Sequence, residues 1–194
     1  MDAYFQFKKN LIESHCSKCT DLCSGRTNIV VDRGNPAAKI MIIGEAPGAN
    51  EDLTGQAFVG RGGKLLDALL SSVGIQTNTD TIIANVVKCR PPNNRPPTQA
   101  EADHCLPYLK EQINLVKPKV ILLLGATAAK HLIPEHKDKS MKERVGKFFD
   151  LPEYPQIKFQ ILFHPAYILR DPRKKKDMLE HLGFLKEMLE KSNG

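Results

Sequence analysis

Four short apolar runs rich in β-branched residues are the feature that most restricts how this chain can fold. They are KIMIIG (39–44), TIIANVV (81–87), KVILLLG (119–125) and QILFH (160–164). Each has the length and composition of a strand that is buried on both faces. Because helical patterns separate the runs, the sequence predicts a parallel sheet with helices covering both of its faces.

The predicted helices lie before, between and after these strands. The first is at the N-terminus and the second begins at Gly62. The third spans 98–116, the fourth begins at Ala126 and the fifth spans 173–191. Thr98 and Glu101 form a capping box, which marks the start of the helix over 98–116. The chain has no internal repeat and no long linker, so its 194 residues are predicted to form a single domain (1–194) with one core.

The charge balance favours a polyanionic partner without proving one. The chain has 28 Lys and Arg against 22 Asp and Glu, a net charge of +6 and an isoelectric point near 9.0. The N-terminus lacks the apolar stretch of a signal peptide, and no run approaches the roughly 18 apolar residues that span a bilayer. We therefore expect no membrane partner and a cytoplasmic location, where thiols stay reduced.

The five cysteines include two separated pairs. Cys16 and Cys19 have C-x-x-C spacing, and Cys89 and Cys105 form the second pair. Two such pairs can close one four-thiolate site, which suits zinc or an iron–sulfur cluster, and the spacing does not choose between them. Cys23 is a possible substitute for one of the four. The alternative is that the cysteines are simply small buried hydrophobic residues.

Three unusual segments follow the predicted strands. They are GEAPG (44–48), NVVKCRPPNNRPP (85–97) and HPAYILR (164–170). In parallel α/β folds the functional groups collect at the carboxyl ends of the strands. We therefore expect a functional site at this edge of the sheet.

These segments together resemble the family 4 uracil-DNA glycosylases. The resemblance rests on GEAPGANEDLTGQAFVGRGG, NVVKCRPPNNRPPT and HPAYILR, and it covers most of the chain, from about Cys16 to Pro172. It implies a uracil-DNA glycosylase fold, a three-layer α/β/α arrangement with a central four-stranded parallel sheet. It also implies excision of uracil in base excision repair. The cofactor that it implies is a structural [4Fe–4S] cluster on Cys16, Cys19, Cys89 and Cys105.

The chain departs from the family pattern at a few positions. Family members commonly have Ala at Gly62 or Gly63, and Thr at Ala84. Neither departure touches a proposed catalytic atom.

An enzyme that cuts uracil from DNA must flip the base out of the stack and hold it in a pocket. Phe58 is the expected stacking platform, and the amide of Asn85 offers the donor and the acceptor that the O4/N3–H edge of uracil requires. Gly44 and Ala46 complete the predicted substrate-binding set. On the sequence alone, a core phenylalanine and a strand-ending asparagine are the alternatives.

Bond cleavage leaves negative charge on uracil and positive charge on the sugar. His164 is expected to donate a hydrogen bond to the uracil oxyanion. Glu45 and Glu51 are the candidates for placing water and offsetting the sugar charge, with Glu45 preferred for the water. The resemblance gives Glu51 a second possible role, against the 5-position of the base, where it would exclude thymine. The alternative is that these residues are structural or solvated.

Basic residues near two of the motifs are predicted to hold the DNA backbone. Arg61, Gly62 and Lys64 lie at a helix start, where backbone amides bind phosphate. Arg170 and Lys174 belong to a basic run after the third motif, for which a solvated helix face is the alternative.

Ile168 and Leu169 are the two candidates for an apolar wedge that fills the gap left by the flipped base, and the sequence does not choose between them. The predicted partner is uracil-containing DNA, single- or double-stranded. We expect a monomer associated with the nucleoid, and no contact with replication proteins can be read from the sequence.

The sequence allows two competing interpretations. In one, a histidine in the loop after the second strand captures the sugar covalently, but RPPNNRPPT contains no histidine, so water is the expected nucleophile. In the other, the chain is a noncatalytic nucleic-acid-binding module held together by metal, which only the cysteines and the charge support. The combination of Glu45, Phe58, Asn85 and His164 argues against it.

Overall fold

The computed structural model describes residues 2–133 and 139–191. Its strands are β1 (Arg33–Gly34), β2 (Ile40–Gly44), β3 (Thr81–Asn85), β4 (Val120–Leu124), β5 (Phe148–Asp150) and β6 (Lys158–Leu162). Its α-helices are α1 (Asp2–Glu13), α2 (Thr20–Gly25), α3 (Ala49–Thr54), α4 (Arg61–Ser72), α5 (Thr77–Asp80), α6 (Gln99–Val116), α7 (Gly125–Leu132), α8 (Met141–Arg144), α9 (Pro165–Arg170) and α10 (Lys174–Lys191). A 3₁₀ turn spans Pro92–Asn94.

The strands form one sheet in the order β1-β3-β2-β4-β6-β5. The central strands β3, β2, β4 and β6 are parallel, and Ile42 of β2 is paired with Ile83 on one side and Leu122 on the other. The four predicted strands are therefore confirmed. The sequence did not predict the antiparallel edge strands β1 and β5. With two and three residues, they are too short to show a hydrophobic period.

The observed boundaries lie close to the predicted ones. The side chain of Thr98 accepts a hydrogen bond from the N–H of Glu101, and Glu101 reaches back to the N–H of Thr98, so the predicted capping box is confirmed. Three strands end earlier than their apolar runs, and β4 does so by one residue, at Leu124. Strand β3 ends at Asn85 and β6 at Leu162, so His164 lies in the loop beyond its strand.

Alternate strand residues point to opposite faces of the sheet, and helices cover both faces. On one face, Met41 and Ile43 belong to a buried cluster that includes residues of α6 and α7. On the other face, Ile40 and Ile42 belong to a second cluster that includes residues of α4 and α10. The predicted three-layer α/β/α arrangement is therefore confirmed. Within the described residues, no helix is both long and apolar enough to cross a bilayer.

The strand order opens a crevice at one edge of the sheet. Strand β3 lies on one side of β2, and β4 lies on the other side. The loops that follow β2 and β4 therefore lead to opposite faces, because α4 belongs to one core cluster and α7 to the other. Crevices at such switch points are where open α/β sheets bind their ligands.

Candidate active site

A cleft of about 720 Å³ opens at the carboxyl ends of the parallel strands. The residues predicted from the sequence that line it are Glu45, Ala46, Glu51, Phe58, Arg61, Gly62, Asn85, His164, Leu169 and Arg170. Those that the structure places outside its lining are Gly44, Lys64, Ile168, Lys174 and the four cysteines. Most of the predicted base pocket is thus brought together in one cleft.

Asn85 is the last residue of β3, and it is 1% exposed. Its Oδ1 atom has no hydrogen-bond partner among the residues that the structure describes. A buried acceptor without a partner costs about 1–3 kcal/mol, so this atom points to a donor that enters from the cleft. Gly44 ends the neighbouring strand, and a Cβ there would lie 2.6 Å from Oδ1. Gly44 therefore serves the pocket by leaving room for the amide.

Phe58 is held in the cleft wall by an unusual backbone conformation. Its φ is 54°, in the left-handed region that non-glycine residues seldom adopt. Gly63 makes this possible, because a Cβ there would overlap the carbonyl oxygen of Phe58. The ring lies over Gly44, and its centroid is 5.8 Å from that of the His164 ring. Phe58 is thus both a buried residue of the core and a rigid wall of the cleft.

His164 caps α9, and this contact fixes its tautomer. The N–H of Ala166 donates to Nδ1 of His164 at 3.1 Å. In the neutral ring the proton must therefore be on Nε2, which becomes a hydrogen-bond donor. Burial lowers the pKa of His164 from its ordinary value, and the charge of Glu45 opposes that shift while Arg170 adds to it. The imidazole is thus kept neutral, with one N–H available.

Glu45 follows β2, and its carboxylate is oriented by a residue that the sequence analysis missed. The hydroxyl of Thr127, in the first turn of α7, donates a hydrogen bond to Oε2 of Glu45. The only sequence signal for Thr127 is its position just beyond the end of β4. The two residues meet because β2 and β4 are neighbours in the sheet.

Glu51 lines the cleft, but both of its carboxylate oxygens have backbone partners. Oε1 accepts hydrogen bonds from the N–H groups of Val59 (2.9 Å) and Gly60 (2.7 Å), and Oε2 accepts one from Gly48 (3.1 Å). These bonds join the loop after β2 to the loop that carries Phe58. The catalytic role of Glu51 stays a prediction, whereas its role in holding the cleft wall is visible in the structure.

The predicted phosphate contacts fall into two groups. Arg61 and Arg170 line the cleft and are exposed, so both side chains can reach a bound backbone. Lys64 is exposed but lies outside the cleft lining. Lys174 forms an ion pair with Asp177 at 3.0 Å, which leaves its ammonium less available than a solvated one. DNA binding by these residues stays a prediction.

The structure distinguishes the two wedge candidates. Ile168 is 2% exposed and belongs to the core cluster with α4 and α10, so its prediction as a wedge is wrong. The reason is the short helix α9, which turns Ile168 inwards and Leu169 outwards. Leu169 is 40% exposed and lines the cleft, as does Tyr167.

The proline-rich loop after β3 forms another wall of the cleft, and Arg95 anchors it. The Arg95 guanidinium donates two hydrogen bonds to Glu101, at 2.9 and 2.7 Å. Arg95 therefore lowers the pKa of Glu101 to about 2, and the N–H of Thr98 contributes to that shift. The sequence analysis missed Arg95, because nothing in the local pattern indicates that it reaches the capping glutamate.

Two cysteines of the N-terminal segment contact the turn of α6 that contains Cys105. The thiol of Cys19 lies 3.5 Å from Nδ1 of His104, and the hydroxyl of Tyr108 lies 3.8 Å from the sulfur of Cys16. Cys105 lies between these two residues in the sequence of α6, and its side chain is buried. The C-x-x-C segment and Cys105 are thus close together.

Cys89 follows Lys88 directly and is also buried. Nη1 of Arg26 donates to its sulfur at 3.2 Å and to that of Cys23 at 3.3 Å. Burial raises the pKa of both Cys89 and Cys19 to about 11, and neighbouring thiols add to each shift. Within residues 2–133 and 139–191, no three Cys, His, Asp or Glu residues are close enough together to hold a single metal ion. Thiolates of this kind are the usual ligands of iron–sulfur clusters.

Comparison with known proteins agrees with this geometry. Residues 31–185 match the uracil DNA glycosylase superfamily. Three relatives carry the name type-4 uracil-DNA glycosylase. That of Thermotoga maritima is 43% identical over 163 residues (83% of each chain), and that of Archaeoglobus fulgidus is 39% identical over 165 residues (84% of this chain and 82% of the relative). That of Sulfurisphaera tokodaii is 37% identical over 192 residues (97% and 86%). The chain therefore belongs to the uracil-DNA glycosylase superfamily and, within it, to the type-4 uracil-DNA glycosylases.

Proposed function

We propose that this protein excises uracil from DNA by hydrolysing the N-glycosidic bond, which yields free uracil and an abasic site for base excision repair. The observation that carries the proposal is the unpartnered Oδ1 of the buried Asn85 in the cleft wall. The names of the similar proteins support it. The base would enter the cleft only after it is flipped out of the stack.

Asn85 would select uracil through its amide. Uracil presents an N3–H donor and an O4 acceptor, so the N3–H group would pair with Oδ1 and the O4 atom with the amide N–H. Cytosine presents the opposite pattern and would leave buried groups unpaired, which is the strongest basis for rejecting a close analogue. The ring of Phe58 would stack on the base and contribute roughly 1–3 kcal/mol.

His164 would stabilise the leaving group. As the glycosidic bond breaks, negative charge collects on the uracil oxygens. The Nε2–H group of the neutral imidazole would donate a hydrogen bond to that charge without a reorganisation of the site, because Ala166 already holds the ring.

Glu45 would act on the sugar side. Its carboxylate, held by Thr127, would offset the positive charge on the deoxyribose and orient the attacking water. The loop 90–98 lies beside the cleft and contains no histidine that could capture the sugar instead. This favours hydrolysis over covalent capture. Glu51 would support the same site by holding the loop that carries Phe58. A direct catalytic role of Glu51 is also part of this proposal.

The DNA would be held at the rim of the cleft. Arg61 and Arg170 would contact phosphates, as would the backbone at Gly62, with Lys64 and Lys174 farther along the strand. Leu169 is the exposed apolar residue that would fill the gap in the duplex.

We further propose that Cys16, Cys19, Cys89 and Cys105 hold a [4Fe–4S] cluster. The chemistry of the donor set supports it, since Cys16 and Cys19 lie beside the turn of α6 that contains Cys105, and four thiolates are the usual ligands of such clusters. When bound, the cluster would supply iron–thiolate bonds that join the N-terminal segment to α6 and to the loop after β3.

We propose that the protein acts as a monomer. We also propose that it is cytoplasmic and associated with the nucleoid, because its substrate is DNA.

The test is release of uracil from an oligonucleotide that contains a single deoxyuridine, in single- and double-stranded form, measured with enzyme in excess. Asn85→Ala is expected to lower the single-turnover rate by about 10²-fold, as loss of one preorganised contact does. Its affinity for uracil-free duplex should stay unchanged. The matched control is Asn78→Ala, which changes an exposed asparagine outside the cleft.

Three results would contradict the proposal. If the wild type bound DNA but released no base, the noncatalytic interpretation would replace it. If Asn85→Ala cleaved at the wild-type rate, the site would be wrongly assigned. A stable protein–DNA adduct on a denaturing gel would instead support covalent capture.

A further inference from the structure

Lys88 is the least expected residue in the core. It lies three residues beyond Asn85 and is 1% exposed, although it has an ammonium group. An isolated buried charge is strongly unfavourable, and an apolar side chain of similar volume would pack there without that cost. The ammonium donates hydrogen bonds to the main-chain carbonyl of Asn85 at 2.7 Å and to Oε1 of Gln112. Its position is therefore explained by these contacts and not by packing.

The main chain of Lys88 is itself immobilised. Its carbonyl accepts a hydrogen bond from the N–H of Val30 at 2.8 Å. Lys88 thus has a fixed backbone from which its side chain reaches back to Asn85. The next residue, Cys89, is one of the four candidate cluster ligands.

A chain of buried hydrogen bonds holds the other side of the ammonium. Gln112 is fully buried, and its Nε2 donates to the hydroxyl of Tyr4 at 2.9 Å. That hydroxyl donates to Asp32 at 2.7 Å, and Lys8 forms an ion pair with Asp32 at the surface. The network gives Gln112 a single orientation, because its Nε2 donates to both Tyr4 and the carbonyl of Val31, so its oxygen faces Lys88.

Asn85 needs this support because the strand ends there. Beyond it, the N–H groups of Val86 and Val87 bond to the carbonyls of Gly44 and Glu45, at 3.0 and 3.1 Å. The carbonyl of Asn85 is directed at Lys88. The side-chain Oδ1 has no partner among the described residues. The orientation of the recognition amide therefore depends on how firmly the main chain of Asn85 is held.

We propose that Lys88 is a positioning residue for uracil recognition, which fixes the main chain of Asn85 and thereby aims its amide into the cleft. Lys88 does not line the cleft and does not touch the base. The inference rests on the proposed function, because it assumes that Asn85 reads the uracil edge.

A double-mutant cycle tests the inference. Lys88→Met keeps the length of the side chain and removes its donors, and it is expected to lower the single-turnover rate of uracil release by about tenfold. If Lys88 acts through Asn85, the same substitution made in Asn85→Ala should change the rate less than about twofold, because residues in one network are not additive. The affinity for uracil-free duplex should be unchanged in every variant.

The control is Leu182→Ala, a core substitution on the opposite face of the sheet. It should destabilise the protein, and any effect of it on the rate should be the same with Asn85 or with Ala at that position. Should Lys88→Met fail to fold, Tyr4→Phe weakens the same network more mildly. It should lower the rate about threefold with Asn85 present and leave it unchanged in Asn85→Ala.

A tenfold effect of Lys88→Met that persists in Asn85→Ala would overturn the inference, as would a wild-type rate in Lys88→Met. Both outcomes leave the proposed function standing, provided that the wild type releases uracil and Asn85→Ala is impaired. If the wild type releases no uracil, the proposed function itself fails.

Discussion

Thr127 donates a hydrogen bond to Glu45 across the boundary between two neighbouring parallel strands, β2 and β4. The chain leaves these strands towards opposite faces of the sheet, so the two residues are 82 positions apart in sequence and adjacent in space. Thr127 gives the Glu45 carboxylate a defined orientation, which the proposed role of Glu45 in placing water requires.

Replacing Thr127 with Val is expected to slow uracil release about tenfold, because the carboxylate of Glu45 loses the contact that orients it. Thr127→Ser keeps the hydroxyl and should retain most of the rate. Single-turnover rates and melting temperatures of both variants check this. A wild-type rate for Thr127→Val at unchanged stability would show that Glu45 needs no such contact.

Two adjacent glycines should respond differently to alanine. At Gly63 a Cβ would overlap the carbonyl of Phe58, so Gly63→Ala is expected to destabilise the protein by about 1–3 kcal/mol or more. At Gly62 the nearest atom, Cβ of Pro165, would be 3.7 Å away, so Gly62→Ala should be neutral or stabilising by up to about 1 kcal/mol. Thermal unfolding of both variants measures the difference, and equal effects would contradict the structure at this turn.

Leu169→Ala should slow release from duplex DNA about tenfold more than from single strands, because only a duplex leaves a gap to fill. Ile168→Ala should instead lower the free energy of unfolding by about 2–5 kcal/mol, since it opens a cavity in the core. The readouts are the ratio of duplex to single-strand rates and the unfolding curve. Leu169 has no wedge role if its variant leaves that ratio unchanged.

The partly buried position of His164 predicts a specific pH dependence. Its pKa in the folded protein lies below the ordinary value of 6.5, so the neutral donor persists as the pH falls through 6.5. Its contribution to stability is complete above pH 6.5 and decreases as the pH falls from there towards the lowered pKa. Activity should therefore be complete above pH 6.5 and fall, together with stability, once the pH drops below the lowered pKa. His164→Gln should abolish that pH dependence of stability, which urea unfolding at several pH values measures.

The cysteines can be tested by colour and metal content. Anaerobically purified protein is expected to contain iron and sulfide and to absorb broadly near about 400 nm, as thiolate-bound clusters do. Cys89→Ser should lose this absorption and destabilise the protein. Cys23→Ser should keep it, because Cys23 is outside the proposed set. One zinc and no iron in the wild type would exclude the cluster.

The parallel strands, the capping box at Thr98 and the position of the three motifs at strand ends were predicted correctly, because each depends on neighbours within a few residues. Hydrophobic runs report burial, and strand ends follow from them. Local sequence patterns do not predict the edge strands β1 and β5, because these strands contain too few residues to show a hydrophobic period.

Contacts between segments that are distant in sequence are determined only by the tertiary structure. Whether Ile168 or Leu169 faces the cleft depends on the direction in which α9 leaves β6, which a six-residue helix does not encode as a period. The contacts that Thr127, Arg95 and Lys88 make follow from strand order and loop packing. Local sequence thus specifies which elements form and which chemical groups lie at their ends, whereas the free energy of packing the sheet and helices together selects which of those groups meet.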